Sequence, residues 1–356
     1  MRIAIDGREL VGHPTGVGRY LSELLLAWDQ LPIAASHEFI LCVPGSLDLG
    51  RYARLNVSSL VSTGSGTLWE QRVLPKLVAS AGADVLFSPA YTCPLWSPVP
   101  IALVIHDVSF AAHPEWFSWR EGLRRRTLTW LAARRAARVI TESDFSKREI
   151  VRCLGIEASR IEVIYLGASA VHEPAAQREP VVLYVGSLFN RRHIPELIEG
   201  FRRAAARRPE IRLEIVGDNR TSPRVDVDRL IAASGMDGRL QWRSYVPDAD
   251  LAALYGRASA FAFLSDYEGF GLTPLEAMAA DIPVVVLDTE IAREIYGDAA
   301  VYVQRPDPDM IAAALERVLA DRDERARLIE AGRERVQRFS WRECARRTLQ
   351  VLLETR

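Results

Sequence analysis

The sequence predicts an α/β protein: two doubly wound, Rossmann-like parallel-sheet domains facing each other across a cleft. Three observations carry this expectation. Short β-rich runs alternate with longer helical patterns along the whole chain. The runs are continuous in Val, Ile and Leu, as in parallel strands covered on both faces. A stretch without apolar period, 167–180, holds Pro174 and Pro180 and divides the alternation in two. With 356 residues, the chain has room for about two domains.

In order, the first half offers strands at 2–5, 39–43, 85–87, 101–105, 138–140 and 161–164, with helical stretches at 18–31, 68–79 and 146–154. The second half offers strands at 181–185, 213–216, 240–243, 260–263 and 284–286. Helical patterns there fall at 195–206, 227–233, 250–256, 274–280, 308–320 and 324–338. The expected organisation is a domain over 1–170, a linker over 171–180, a domain over 181–340, and a final helix, 341–356, packing back toward the first domain. In open parallel sheets ligands bind at strand carboxyl ends, so the functional residues are sought in those loops.

Hydrophobic residues make up 49% and charged residues 26% of the chain, proportions of a soluble globular protein. A net charge of −1 argues against a dedicated nucleic-acid binder. All basic side chains except Lys76 and Lys147 are arginine, so an arginine cluster here carries less weight than usual. Cys42, Cys93, Cys153 and Cys344 form no CxxC pair and no metal-ligand spacing. They read as packed thiols in a reducing compartment. The opening Met1-Arg2-Ile3-Ala4-Ile5-Asp6 meets an acid too early for a signal peptide, and no apolar run approaches the roughly 20 residues that span a bilayer. A cytoplasmic location is expected.

Asp6-Gly7-Arg8 follows the first strand, and Thr15-Gly16-Val17-Gly18-Arg19-Tyr20 comes shortly after. Gly16 and Gly18 suit close backbone approach to a phosphate or substrate, and equally a plain turn. The run lacks the third glycine of a dinucleotide fingerprint and the Lys-Ser/Thr of a P-loop. His106-Asp107 ends an apolar run, where a histidine can bond a sugar hydroxyl or simply be satisfied at a strand end.

The most informative segment is Asp266-Tyr267-Glu268-Gly269-Phe270-Gly271-Leu272-Thr273-Pro274-Leu275-Glu276. A strand enters an acidic, glycine-bearing loop, and a helix begins near Thr273. The N–H groups of Gly271, Leu272 and Thr273 would suit a phosphate, with Glu268 placed to take sugar hydroxyls. Thr273-Pro274-Leu275-Glu276 also reads as a capping box with proline at the first helical position. Opposite, Gly186-Ser187-Leu188-Phe189-Asn190-Arg191-Arg192-His193 follows a strand, and its arginine pair offers forked donors for a diphosphate. Arginine at a helix start opposes the dipole, which a bound anion would relieve. Asp226-x-Asp228, Asp248-x-Asp250 and Asp307-x-Asp309 look like metal-binding DxD motifs but precede helices, where aspartates cap. No metal is expected.

Together these residues resemble the retaining family 4 glycosyltransferases of the GT-B fold, over nearly the whole chain. The likeness runs through TGVGRY, the His106-Asp107 pair followed by His113-Pro114-Glu115, Thr141-x-Ser143-x-x-Ser146-Lys147, Val163-Ile164-Tyr165-Leu166-Gly167 and the Gly186 loop. It is most specific in the Glu268 to Glu276 spacing inside EGFGLTPLEAMA. The resemblance implies an acceptor domain followed by a nucleotide-sugar donor domain, with no cofactor. Catalytic contacts are expected from His106, Glu268, Arg191 and Arg192. Donor contacts are expected from Gly16, Gly18, Gly186, Tyr245, Val246, Gly271, Leu272, Thr273 and Glu276, with the ribose on Glu276 and the base beside Tyr245-Val246-Pro247. Arg192 stands where the family usually has lysine and His193 where asparagine is common. The implied reaction moves a hexose from a nucleotide diphosphate sugar, GDP-mannose before a UDP-sugar, to a glycan or lipid-linked saccharide of an envelope polysaccharide. The implied class is retaining and metal-independent. Rival readings are a GT-B-like sugar-nucleotide epimerase, a dinucleotide oxidoreductase and a non-catalytic sugar-nucleotide-binding protein.

Segment 111–152 carries ten Lys/Arg against five Asp/Glu. Trp116, Trp119, Leu123, Thr127 and Trp130 recur there at helical spacing, beside Arg120 and Arg124–Arg126. Such a stripe either packs into the first domain or, through 115–138, rests peripherally on the anionic inner face of the cell membrane.

Overall fold

Seven strands form the first sheet of the computed structural model, which describes residues 1–12, 16–168 and 178–355. They are β1 (Arg2–Asp6), β2 (Glu38–Val43), β3 (Val57–Val61), β4 (Val85–Ser88), β5 (Ile101–Val104), β6 (Arg138–Thr141) and β7 (Ile161–Val163). Six more form the second: β8 (Val181–Val185), β9 (Arg212–Val216), β10 (Leu240–Arg243), β11 (Ala260–Phe263), β12 (Val284–Leu287) and β13 (Ala300–Val303). The orders are β3-β2-β1-β4-β5-β6-β7 and β10-β9-β8-β11-β12-β13. All strand pairs described are parallel. Every residue of β4, β5, β8, β11 and β12 is buried. This follows from helices on both faces, and explains why these strands read as unbroken apolar runs.

The two sheets belong to two units. One comprises Met1–Gly167 with Phe339–Arg356, the other Ala168–Arg338. Of the expected linker, residues 171–177 lie outside the described residues, as do Thr15 and Arg356. Arg178, by contrast, donates to the carbonyls of Tyr255 at 3.0 Å and Ala258 at 2.9 Å. The helix Trp341–Glu354 packs in the first unit, where Trp28 Nε1 donates to the Ala345 carbonyl at 2.8 Å. A Cβ on Gly167 would stand 2.2 Å from the Trp341 backbone nitrogen.

Several elements differ from the sequence reading. β3 is an edge strand with a half-exposed, serine-containing face, so it shows no apolar run. β13 is only four residues long, and the helix Glu290–Tyr296 only seven. Gly16 and Gly18 lie in the first turn of the helix Gly16–Asp29 rather than in a loop, and Gly16 has open space where a Cβ would be. Asp226 and Asp307 do cap helices, whereas Asp248 sits inside the first turn of Asp248–Arg257 behind Pro247.

Strand order reverses between β1 and β4 in one sheet and between β8 and β11 in the other. Ligands bind outside the carboxyl ends at such switch points. Beside the second, the loops after β8 and β9 nearly touch: Gly217 has φ +150°, and a Cβ there would lie 1.9 Å from the Gly186 carbonyl oxygen. Gly217→Ala is therefore expected to destabilise the protein by about 1–3 kcal/mol through forced separation of these loops. Urea unfolding measures this, and an unchanged midpoint would show that the loops part freely.

Candidate active site

β8 delivers the chain into Gly186, whose φ of +146° only glycine adopts without strain. A Cβ there would also meet an Arg192 Nη1 atom at 2.9 Å. The loop then closes as a 3-10 turn, Asn190–Arg192, before the helix Ile194–Arg207. Arg192 folds inward. Its Nε donates to Glu268 Oε1 at 2.8 Å and its Nη1 to the Ser187 carbonyl at 2.7 Å. Its guanidinium lies 4.8 Å from the Phe263 ring centroid and 5.3 Å from that of Phe189, a stacked setting that suits a planar cation.

Glu268 arrives from the loop after β11, and Ser265 Oγ donates to the same Oε1 at 2.7 Å. Burial alone would raise the Glu268 pKa, but Arg192 and then Arg191 hold it below the usual carboxylate value. Burial also works against the charge on Arg192, yet Glu268 and Tyr184 lift its pKa above the ordinary arginine value. Both groups are therefore ionised. Arg191 spans the same two loops: its Nε donates to the Tyr267 carbonyl at 3.1 Å while its guanidinium lies over Phe189 at 4.4 Å. The structure thus brings Gly186, Arg191, Arg192 and Glu268 together. A carboxylate supplies the compensation that the sequence reading assigned to a ligand for Arg192.

The next element is the helix Leu272–Ala279, with Gly271 as its N-cap at φ +89° and no side chain capping it. The expected capping box is absent because the helix starts two residues early. Thr273 and Pro274 are already helical, and Glu276 is buried on the inner face with Tyr255 Oη donating to its Oε2 at 3.3 Å. Tyr296 Oη donates to the Gly271 carbonyl at 2.8 Å, and a Cβ on Gly271 would lie 2.1 Å from that hydroxyl. This packing sets the helix tip beside the Glu268 loop, with the backbone nitrogens of Gly271, Leu272 and Thr273 at its positive end. Tyr245 and Val246 follow β10 on the same rim of the sheet, Tyr245 70% exposed and Val246 buried. They lie beyond β9 from the switch point.

In the first unit His106 follows β5, but neither ring nitrogen points to solvent. Nε2 donates to the Pro89 carbonyl at 2.7 Å, and Nδ1 pairs with Glu142. Burial would lower the ring's pKa; Glu142 overcomes this and raises it. Tyr20 and Tyr91 meet the ring edge-on at centroid distances of 5.3 and 5.2 Å. The Thr141–Lys147 motif buttresses this strand end: Thr141 Oγ1 donates to the Ile105 carbonyl at 2.8 Å, Ser146 Oγ to the His106 carbonyl at 3.3 Å and Lys147 Nζ to the Ile161 carbonyl at 2.8 Å.

Sequence reasoning missed a second buried charge cluster at the end of β1. Arg8 Nε donates to both Asp6 oxygens, at 2.9 and 3.0 Å, and Nη2 to Glu70 Oε1 at 2.7 Å. Thr92 Oγ1 adds a bond to Glu70 Oε1 at 2.6 Å. Glu70 rides on a π-helical turn, Trp69–Val73, and only Asp6-Gly7-Arg8 hinted at the site. Among the described residues, no three His, Cys, Asp or Glu side chains group as a metal ion would require.

Comparisons with known proteins decide the family. The model described as Glycosyltransferase Family 4 matches residues 14–170, and that described as Glycosyl transferases group 1 matches 170–335. The O-antigen chain mannosyltransferase B of Escherichia coli is 30% identical over 259 residues, covering 68% of each chain. The chain belongs to glycosyltransferase family 4. Another relative of this glycosyltransferase, the O-antigen chain mannosyltransferase RfbU of Salmonella typhimurium, is 24% identical, with 85% of this chain and 87% of that protein aligned. A mycobacterial relative, the MMP alpha-(1->4)-mannosyltransferase of Mycolicibacterium hassiacum, aligns over only 59% of its length at 28% identity. Among solved structures, Anabaena Alr3699/HepE in complex with UDP-glucose superposes with a TM-score of 0.78 at 19% identity, over 99% of this chain and 100% of that one. WaaG, a lipopolysaccharide-biosynthesis glycosyltransferase, does so with a TM-score of 0.74 at 15% identity, over 99% of both chains. The fold of this family 4 member is GT-B.

Removing one partner of a buried ion pair strands the other charge. In this glycosyltransferase Glu268→Gln should therefore cost about 3–5 kcal/mol in urea-unfolding free energy. A loss below about 1 kcal/mol would mean that water reaches Arg192.

Proposed function

We propose that the protein is a retaining, metal-independent hexosyltransferase that takes a nucleotide diphosphate sugar, GDP-mannose before a UDP-sugar, to a hydroxyl of a glycan or lipid-linked saccharide in envelope polysaccharide synthesis. The reading rests on one arrangement: Arg191 and Arg192, the Glu268 carboxylate and an uncapped helix tip share the switch point of the second sheet. The names of the two O-antigen mannosyltransferase relatives support the mannosyl donor, and the UDP-glucose complex of Anabaena Alr3699/HepE keeps a UDP-sugar in second place.

In this reaction the bond between the sugar's anomeric carbon and the β-phosphate oxygen breaks, and a bond to the acceptor oxygen forms on the same face. The leaving phosphate oxygen takes the acceptor's proton. Arg191, Arg192 and the N–H groups at Gly271–Thr273 stabilise the charge developing on the diphosphate. Glu268, fixed by Arg192 and Ser265, orients sugar hydroxyls. Catalysis of this kind is positioning and electrostatic stabilisation. With Nε2 on the Pro89 carbonyl and Nδ1 on Glu142, His106 acts in it by fixing the Pro89 carbonyl rather than by the expected contact with the transferred sugar.

A thermal-shift panel tests the donor. A ligand bound only by the folded state stabilises it by about 2.7 kcal/mol at a hundred times its dissociation constant. GDP and UDP should therefore raise the midpoint, GDP further, and Arg192→Ala should abolish most of the rise. No shift with any nucleoside diphosphate refutes the reading.

We also propose that the first unit rests on anionic lipid. In the helix Trp119–Arg135, Trp119 is 72% and Leu123 59% exposed, and Trp130 is exposed as well. The packed-stripe alternative therefore does not hold for these three, whereas Trp116 stacks on His113 at 4.0 Å. Arg120 lies over Trp119 at 5.2 Å and Arg134 over Trp130 at 4.8 Å, so apolar and cationic groups share one face. No helix among the described residues is long and apolar enough to cross a membrane. Cosedimentation should show binding to phosphatidylglycerol vesicles and not to phosphatidylcholine ones. The double variant Trp119→Ala, Leu123→Ala should weaken it at least tenfold, since burying either side chain contributes roughly 1.5–3 kcal/mol. Equal binding to both lipids removes the proposal.

A further inference from the structure

Two loops build the candidate donor site, the 186–193 loop after β8 and the 264–271 loop after β11, and four bonds tie them. The Asp266 backbone nitrogen donates to the Arg191 carbonyl at 2.9 Å. Arg191 Nε reaches the Tyr267 carbonyl at 3.1 Å and Arg192 Nε reaches Glu268 at 2.8 Å. The fourth is His193 Nε2 to Asp266 Oδ2 at 2.7 Å. His193 stands where the sequence departs from the family's usual asparagine, and its backbone is left-handed, with φ +49° and ψ +44°. That conformation turns the chain from the arginine turn into the helix Ile194–Arg207 and points the imidazole at the Glu268-bearing loop. Histidine and asparagine are among the few residues that tolerate it.

We propose that His193, as an imidazolium held by Asp266, is a positioning residue for the donor diphosphate: a charged latch that keeps the Glu268 loop against the arginine turn and loosens when the ring loses its proton. The inference rests on the donor reading above and adds a regulatory element to it.

The charged groups facing the ring are Asp266 from the opposite loop and Glu196 from its own helix, with Oε2 3.7 Å from Nδ1. Arg191 and Arg192 precede it in the turn. Burial would lower the ring's pKa, but hydrogen bonding to Asp266 and Glu196 raises it to about 9. His193 thus contributes charge-dependent stability that is complete below its ordinary value of 6.5 and lost as pH rises through about 9. Of the other three ties, two end on backbone carbonyls and the third is made by Arg192, whose pKa is raised.

The composition of this unit narrows the sources of such an effect. Ala168–Arg338 contains no lysine and no cysteine. Its one other histidine, His172, lies outside the described residues. Burial pushes the Tyr184 and Tyr302 hydroxyls up to about 12. The unit also holds Tyr245, 70% exposed and expected beside the base, so the comparison with His193→Asn is what assigns a transition near pH 9 to this ring.

The test measures UDP and GDP affinity by calorimetry between pH 7 and 10, for the wild type and for His193→Asn, which keeps the left-handed backbone. Uracil and guanine shed a ring proton in the alkaline range, so the variant is the reference for the ligand's own titration. The wild type should lose about tenfold more affinity than the variant between pH 8 and 10, the magnitude of one charge-assisted hydrogen bond. At pH 7.5 the variant should bind about tenfold more weakly. Carbon-13 NMR of the wild-type imidazole supplies a ligand-free readout, with a titration near pH 9 expected. Parallel pH profiles for the two proteins, or an imidazole titrating near 6.5, overturn the latch while leaving the donor site intact. Failure of both nucleotides to bind the wild type at pH 7.5 overturns the donor reading and the latch's role with it.

Discussion

The ion pair between Arg192 and Glu268 is the constraint around which the second unit's functional end is arranged. Two charges in a largely dehydrated setting persist only when each has the other and further bonds satisfy what remains. Here Ser265 adds a second bond to the Oε1 that Arg192 holds, while the Ser187 carbonyl and two aromatic faces surround the guanidinium. The partners lie 76 residues apart and meet only because β8 and β11 are neighbours. Gly186 follows from the same requirement, because a side chain there would take the space of the guanidinium. Gly271 follows from the neighbouring one, since its carbonyl sits directly under the Tyr296 hydroxyl. A preorganised site of this kind has its cation oriented before any anion arrives, so little reorganisation accompanies binding.

The first unit solves a similar problem with different chemistry. Its strand ends also carry buried charge, in the His106–Glu142 pair and in the Asp6–Arg8–Glu70 group. Burial raises the Asp6 pKa despite Arg8, whereas Arg8 is held firmly charged by its two acids against the cost of burial. Both clusters are ringed by aromatic and hydroxyl groups and lock loops that follow β1, β4 and β5. The ionic groups of this unit work as internal fasteners of the rim, a role that a list of polar residues at strand ends does not distinguish from ligand contact.

Most of the architecture was legible because buried parallel strands leave unbroken apolar runs, and the strand-loop-helix signature at 260–280 identified the second switch point. What escaped was decided by tertiary contact. β3 has an exposed face and so no apolar signal. The Thr273–Glu276 spacing satisfied a capping rule that the helix, starting at Leu272, does not use. His106 was recognised as a strand-end residue, but its partner Glu142 belongs to the next strand's exit, 36 positions on. His193 and Asp266, 73 positions apart, could not be paired from the sequence for the same reason. Spacing rules see neighbours along a helix or strand; they do not see which strands the sheet places side by side.

The helix Trp341–Glu354, which follows the whole second unit in sequence, completes the first unit. During synthesis, every residue of the second unit leaves the ribosome before this helix does. Until then the surface of the Gly16–Asp29 helix that receives it, with the Trp28 indole nitrogen awaiting the Ala345 carbonyl, lacks its cover. The usual order, in which the amino-terminal domain of a nascent protein finishes folding first, is thereby inverted: the domain made first is the last to be sealed.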